Sequence, residues 1–425
     1  MMYWISLQNM LGYGNTSALR TLLYRFGSPK GILEASDEEL SNCGVTKAQL
    51  KRRGELSPKA IEKIIMTTQK ENISVLPFDS PMYPDKLRNI NEPPVVLYVI
   101  GDERILNDSL SICVIGTRKI TEYGKRAAFS LSARLALGGA VIVSGGAIGG
   151  DTFAHLGALA VSGKTVCVTG GGVSSKYLKA NSKLRDSIVA SGGALVSEFS
   201  PHFTPRANSF HVRNRIMSGL SDAVAVIEAP ISSGVMITAG TAAEQGREVY
   251  AMPGAPERKE FEGTNKLISF GARPIISPKD ILSDYEGKYK TVSIDNISVI
   301  DSETLGKLYK SAMDIYENKP SKDKRNSKGK TAPKRSIIGA KEKNFETVSK
   351  EKETVLKKDA SQKRDVSGLS EECIKVYNAL TNEPRLSDDI IEKTSLDTAA
   401  VLKALTLLEI KGLVSALPGS RYILK

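Results

Sequence analysis

Four segments of this 425-residue chain combine Gly, Ser and Arg in patterns suited to holding an anion. They are Gly116-Thr117-Arg118, and Ser144-Gly145-Gly146-Ala147-Ile148-Gly149-Gly150-Asp151. The third is Gly170-Gly171-Gly172, followed by Tyr177, Lys179 and Asn181. The fourth runs from Phe210 through Arg213-Asn214-Arg215 to Ser221. Glycine lets a backbone approach a ligand, and N–H groups at helix starts suit phosphate oxygens. Arg118, Arg213 and Arg215 add charge-assisted, bidentate donors. A single such segment could be only a chain turn, with Asp151 capping a helix. Four of them together favour an anion-binding groove.

Other chemistries are poorly provided for. No GxxxxGK[ST] segment occurs, so P-loop nucleotide hydrolysis is not indicated, and no convincing GxGxxG frame is found. Gly240-Thr241-Ala242-Ala243-Glu244 has the GTxxE spacing of nucleoside-phosphate hydrolases, but Ile237-Thr238-Ala239 stands where Pro-Gly-Gly would precede it. Glu244 therefore reads as a surface helical residue. His155 follows Asp151 by four residues and could pair with it on a helix; a structural histidine is the simpler reading. Three histidines and four cysteines without ligand spacing argue against a metal. Cys113 and Cys167 lie in apolar runs, as buried free thiols of a reducing cytoplasm do.

The elements that must position these segments alternate between strand and helix patterns over residues 108–285. Ser111–Gly116 is a short apolar run ending in glycine, as a buried parallel strand does. Glu122–Leu137 places Ala128, Leu131 and Leu135 on one helical face. Further strand-like runs are 140–144, 164–169, 194–197, 223–228 and 248–252, with strand-like pieces at 73–78 and 95–100. This pattern predicts an α/β fold, an open doubly wound sheet whose ligand lies beyond the strands' carboxyl ends. All four glycine-bearing segments fall at such ends. Residues 1–72 read as short helices joined by Gly-containing turns. Residues 368–425 read as three helices and a hairpin turning at Pro418-Gly419, the pattern of a winged helix.

Net charge is +12, and its location matters more than its size. Residues 317–365 hold 16 Lys/Arg against 8 Asp/Glu, leaving +5 on residues 1–316 and −1 on residues 368–425. The intervening stretch, residues 287–367, reads as a linker, basic and disordered from about 317 because it has too few apolar residues to offset its ordering entropy. No run approaches the roughly 20 apolar residues of a membrane span, and Met1–Tyr13 does not read as a signal peptide.

Taken together the motifs resemble the DprA/Smf family. They are Gly116-Thr-Arg118, Ser144 to Asp151 with His155, Arg213 to Ser221, Ser233-Gly234 with Thr238-Ala239, and Gly246-Arg247. Pro253-Gly254, Gly263 to Ile268 and Gly271-Ala272 complete the set. Gly150 and Leu178 depart from the family's usual Gly-Ile-Asp and Tyr-Pro. The resemblance implies an extended Rossmann-like domain over residues 73–286. It also implies an N-terminal helical domain of sterile-alpha-motif or helix-hairpin-helix type and a C-terminal winged helix. It further implies a cytoplasmic, non-enzymatic homodimer without cofactor that binds single-stranded DNA without sequence preference. Such a protein loads the RecA recombinase in natural transformation.

Carried onto this sequence, the DNA contacts are Gly116, Thr117, Arg118, Ser144, Gly145, Gly146, Gly170, Lys179, Asn181, Arg213, Asn214 and Arg215. The dimer contacts fall within Asn265–Ile276, at Leu267, Ile268 and Ile275. Two other classes remain open on the residues alone. One is a nucleoside-phosphate hydrolase with Glu244 as acid/base. The other is a regulator reading duplex DNA with the winged helix, whose helix over 398–411 offers Lys403 and Lys411 as its bases.

Overall fold

In a computed structural model, residues 1–317 are described save Asp108, Tyr177 and Leu178, together with most of residues 370–424. They form two units, divided by contact density between Ala340 and Lys341.

The first unit opens with helices α1 (Met2–Leu11), α2 (Leu19–Phe26), α3 (Pro29–Glu34), α4 (Asp37–Asn42), α5 (Lys47–Arg52) and α6 (Pro58–Lys70). Their starts are written in the sequence. Ser36 with Glu39 and Thr46 with Gln49 form reciprocal capping boxes, and Ser28-Pro29 and Ser57-Pro58 place a capping hydroxyl before proline at the first helical position. These helices share one continuous core with the following sheet. Gln8 makes the junction specific: its buried amide donates to the carbonyls of Val96 (3.1 Å) and Glu198 (2.9 Å).

The sheet has nine strands: β1 (Ser74–Pro77), β2 (Val96–Gly101), β3 (Ser111–Ile115), β4 (Val141–Ser144), β5 (Thr165–Val168), β6 (Ala194–Ser197), β7 (Ala223–Val226), β8 (Glu248–Ala251) and β9 (Arg273–Pro274). Their order is β1-β2-β6-β5-β4-β3-β7-β8-β9. The seven strands from β6 to β9 run parallel, and β2 and β1 add an antiparallel edge. Strands β3 to β7 are buried throughout, as strands covered on both faces must be.

Between the strands lie α7 (Asp85–Arg88), α8 (Glu122–Leu137), α9 (Gly150–Ala160), α10 (Ser182–Ala190), α11 (Ala207–Gly219), α12 (Gly234–Glu244), α13 (Glu262–Ser269) and α14 (Lys279–Leu282). The order reverses between β3 and β7, the topological switch point where such folds usually bind ligands. Here that crevice is closed. The Glu228 carboxylate, fully buried, accepts from the Thr121 N–H (2.9 Å) and hydroxyl. Gly150 rests on Gly116 so closely that a Cβ at Gly150 would come 2.6 Å from the Gly116 Cα.

The expected linker begins later than the sequence suggests. Residues 287–316 carry α15 (Ser302–Tyr316), and Val292, Leu305 and Ala312 are buried in the core. The helix packs on α8 and α9. Tyr309 stands edge-on to Phe129, and its hydroxyl donates to Glu122 (2.9 Å). Polar composition hid this segment, because it buries only a few apolar side chains on one helical stripe. The basic part of the linker lies outside the described residues.

The second unit holds α16 (Glu371–Ala379), β10 (Arg385–Leu386), α17 (Ser387–Thr394), α18 (Thr398–Ile410), β11 (Val414–Leu417) and β12 (Arg421–Leu424). Its strands pair in the order β10-β12-β11 around an apolar core of its own that includes Val376, Leu405 and Leu408. This is the expected winged helix. The side chains of Lys403 and Lys411 lie outside the described residues.

Candidate functional site

The carboxyl ends of β4 and β5 enclose a pocket of about 110 Å³. Its walls are the glycine turns 145–148 and 170–172, with Arg118, Arg185, Phe210 and Arg213 projecting around them. A second hollow of about 550 Å³ adjoins it, sharing Val173, Ser175 and Arg185 and floored by Ile100, Val189 and Leu195. No carboxylate lines the first pocket, and Asp186 is the one carboxylate of the second among the described residues.

Each glycine segment has a steric reason. Gly146 takes a left-handed conformation (φ +66°), which a side chain would strain. The Phe210 ring covers Gly170, where a Cβ would come within 2.7 Å of it. A Cβ at Gly145 would meet the Arg213 guanidinium at 2.1 Å. The turn after β4 is held by side chains from several elements. Arg213 Nη1 takes the carbonyls of Gly145 (2.7 Å) and Val168 (2.5 Å), tying the ends of β4 and β5 together. The Asp151 carboxylate accepts the Ala147 N–H (3.3 Å), and Thr152 donates to the Ala147 carbonyl (2.8 Å). The N–H groups of Gly146 and Ile148 keep no acceptor among the described residues, which suits them to an incoming oxyanion.

The expected contact residues divide into groups. Arg118 is exposed at the pocket mouth, with its guanidinium 5.4 Å from the centroid of the Phe210 ring. Gly145, Gly146 and Gly170 line the pocket beside it. Arg213 lines it too, but as a buried strut already engaged with two carbonyls. Ser144, fully buried, donates to the Val114 carbonyl (2.7 Å) and braces β3 against β4. The Thr117 N–H donates to the Glu228 carbonyl (2.8 Å), and Gly116 lies under Gly150. Asn214 accepts from Arg213 Nε (3.2 Å).

Arg215 points elsewhere. Two residues along a helix turn a side chain to nearly the opposite face. Its guanidinium forms a buried ion pair with Glu198 (2.8 Å) below β6, away from the pocket. Asn181 is fully buried, with its amide donating to the Gly146 carbonyl (2.9 Å) and the Thr152 hydroxyl (3.1 Å). The Lys179 side chain, Tyr177 and Leu178 lie outside the described residues.

Among the lining residues outside the expected contacts are one aromatic and one further arginine. Phe210 opens the fourth segment and was legible as an aromatic beside arginines. Arg185, on α10, gave no local signal.

Two buried titratable groups, His155 and Cys167, are held in their neutral forms. His155 Nδ1 lies 2.7 Å from the Thr165 hydroxyl, which itself donates to the Ile142 carbonyl (2.7 Å). The hydroxyl proton is thus spent, so Nδ1–H is the donor and the ring is neutral. Burial, aided by the charge of Arg213, pushes the imidazole pKa down to about 3. His155 therefore bonds Thr165 rather than Asp151. Burial pushes the Cys167 thiol up to about 11, which leaves it inert. Glu244 is exposed on the last turn of α12 and is not among the lining residues.

On the dimer segment, Ile275 is 4% exposed and belongs to the core, while Leu267 and Ile268 pack partly against it. The exposed apolar side chains there are Phe270 (75%) and Ile276 (77%). Ile275 and Ile276 follow directly on the two-residue strand β9 and differ sharply in exposure.

Fold and site together define a Rossmann-type α/β protein with an arginine- and glycine-lined pocket at its strand ends and a winged helix as a separate unit. Residues 74–286 match the family model described as DNA recombination-mediator protein A, and residues 360–420 match the DprA winged helix domain. The chain is 38% identical to protein Smf of Escherichia coli over 58% of its length and 66% of that protein's. It is 37% identical to the DNA processing protein DprA of Bacillus subtilis, over 56% of its own length and 80% of that protein's. The solved structure of DprA from Streptococcus pneumoniae superposes with a TM-score of 0.58 at 29% identity, covering 67% of this chain and 98% of that one. The chain belongs to the DNA recombination-mediator protein A family. Among the described residues no helix is long and apolar enough to cross a membrane.

Proposed function

We propose that this protein binds single-stranded DNA without sequence preference along the pocket and the adjoining hollow, and hands the strand to the RecA recombinase. The observation that carries this reading is the pairing of Arg118 with Phe210 beside glycine turns. The exposed Arg118 cation, braced on the Phe210 ring, stands beside backbone turns that can meet a phosphate without reading a base, which suits sequence-tolerant strand binding. The first pocket, about 110 Å³, is by itself smaller than the roughly 300–1,000 Å³ of small-molecule pockets, so a ligand seated there extends into the adjoining hollow of about 550 Å³. The exposed position of Glu244 and the carboxylate-free pocket lining favour binding over nucleoside-phosphate hydrolysis.

The acting form is a homodimer in the cytoplasm, joined through exposed apolar residues near Phe270 and Ile276. Phosphate contacts come from Arg118, Arg185, the edge of Arg213 and the amides of Gly146 and Ile148. The net-acidic winged helix serves protein contact or regulation rather than duplex reading. A titration of single-stranded and duplex oligonucleotides against the full chain tests the binding step. Preference for the single strand, independent of sequence, is expected; equal or tighter duplex binding would revive the winged-helix reading. RecA assembly on single-stranded DNA should be faster with the protein than without it.

A further inference from the structure

Helix α15 lies outside both family-model matches, which end at residue 286 and resume at residue 360. It nevertheless reaches the pocket. The Tyr316 hydroxyl on its last turn donates to Asn181 Oδ1 (2.7 Å), and Asn181 Nδ2 donates to the Gly146 carbonyl (2.9 Å). Tyr316 and Asn181 are 135 residues apart in sequence, and with Gly146 they form one relay. The Asn181 amide is fully committed: its oxygen to Tyr316, its nitrogen to Gly146 and Thr152.

We infer that Tyr316 is a positioning residue for the strand-binding site, acting through Asn181 to hold the turn after β4. The inference rests on the pocket being that site. The Gly146 carbonyl and the Ile148 and Gly146 N–H groups belong to the same left-handed turn. Fixing the Gly146 carbonyl inward holds the peptide plane between those that carry the two N–H groups, and so restrains the turn that presents them. Without the tyrosine hydroxyl, the buried Asn181 oxygen is left without a donor and the amide is held through its nitrogen alone.

The rest of α15 supplies the rigidity the contact needs. Leu305 and Ala312 are buried, and the Tyr309 ring packs against Phe129 and Phe153.

The test uses the full chain and fluorescent oligo-dT, with Tyr316→Phe, Tyr309→Phe and Arg118→Ala. Loss of one buried hydrogen bond that orders a binding turn should weaken the affinity of Tyr316→Phe roughly three- to tenfold. Its salt slope should stay that of the parent, because no phosphate contact is removed. Tyr309→Phe, which loses a bond on the same helix away from the pocket, should bind as the parent does. Tyr316→Phe and Asn181→Ala should be non-additive in a double-mutant cycle.

Unchanged affinity of Tyr316→Phe while Arg118→Ala weakens binding would overturn the inference and leave the pocket standing. So would equal losses in Tyr316→Phe and Tyr309→Phe, which would mean that helix docking alone matters. Unchanged affinity in Arg118→Ala would instead remove the pocket reading on which the inference stands.

Discussion

The guanidinium of Arg118 lies 5.4 Å from the centroid of the Phe210 ring, and that ring in turn lies over Gly170. A residue at the end of β3 and another in the first turn of α11 are thereby joined above the end of β5. The two should fail differently. Phe210→Ala removes the ring that braces Arg118 and covers Gly170, so single-strand binding should weaken with the salt slope nearly unchanged. Anisotropy titrations at two ionic strengths separate this from loss of a charge. A Phe210→Ala protein that binds with parental affinity would remove the ring from the site.

Arg215 and Arg213 are two residues apart, yet only Arg213 reaches the pocket. Arg215→Ala strands the Glu198 carboxylate, which burial already pushes up in pKa against the stabilising charge of Arg215. A cost of about 3–5 kcal/mol in denaturant unfolding is expected, since an uncompensated buried charge remains. Replacing both partners with apolar residues, Arg215→Met with Glu198→Leu, should recover most of it. A fully stable Arg215→Ala protein with weakened DNA binding would return this arginine to the list of phosphate contacts.

His155 makes stability fall with acid. Its folded pKa, about 3, lies below the unfolded value near 6.5, so between those limits the unfolded chain binds a proton that the folded chain refuses. The contribution is intact above pH 6.5 and is lost by about 1.4 kcal/mol for each unit below it. Urea midpoints of the parent and His155→Gln, measured between pH 7.5 and 5, should show a shallower acid decline in the variant. Parallel curves would show that His155 is not buried in its neutral form.

The apolar pair at the sheet edge distinguishes core from interface. Ile276→Arg, at a position 77% exposed, should leave the fold intact and convert dimers to monomers in sedimentation. Ile275→Arg, one residue away but 4% exposed, should instead destabilise the protein severely. A parent chain that sediments as a monomer at micromolar concentration would end the dimer proposal.

The parallel strands and α8 were legible because their apolar residues run unbroken between glycines or recur at helical spacing. Glu122–Leu137 appears in the structure with the bounds its periodicity suggests. The glycine turns were legible for the same reason, and so was Arg118, which stands directly after a strand. Direction was not. Which of Arg213 and Arg215 faces the pocket depends on how α11 lies over β5, a tertiary fact with no local trace. Asn181 reads as a surface-binding amide until Tyr316, far along the chain, is placed beside it. Residues 287–316 read as linker because few of their side chains are buried, and Ile275 was placed at the interface on the resemblance and its apolar neighbours, beside a strand of only two residues that shows little direction.

The central claim is that the glycine-lined pocket at the ends of β4 and β5 holds the DNA backbone, with Arg118 as an exposed phosphate contact. The most direct measurement is the dependence of oligo-dT affinity on salt for the parent and Arg118→Ala, with folding of both checked by circular dichroism. Loss of one phosphate contact predicts weaker binding to every sequence and a log–log salt slope shallower by roughly 0.7, the single-strand value for one charge. A folded Arg118→Ala protein with the parent's affinity and slope would contradict the account.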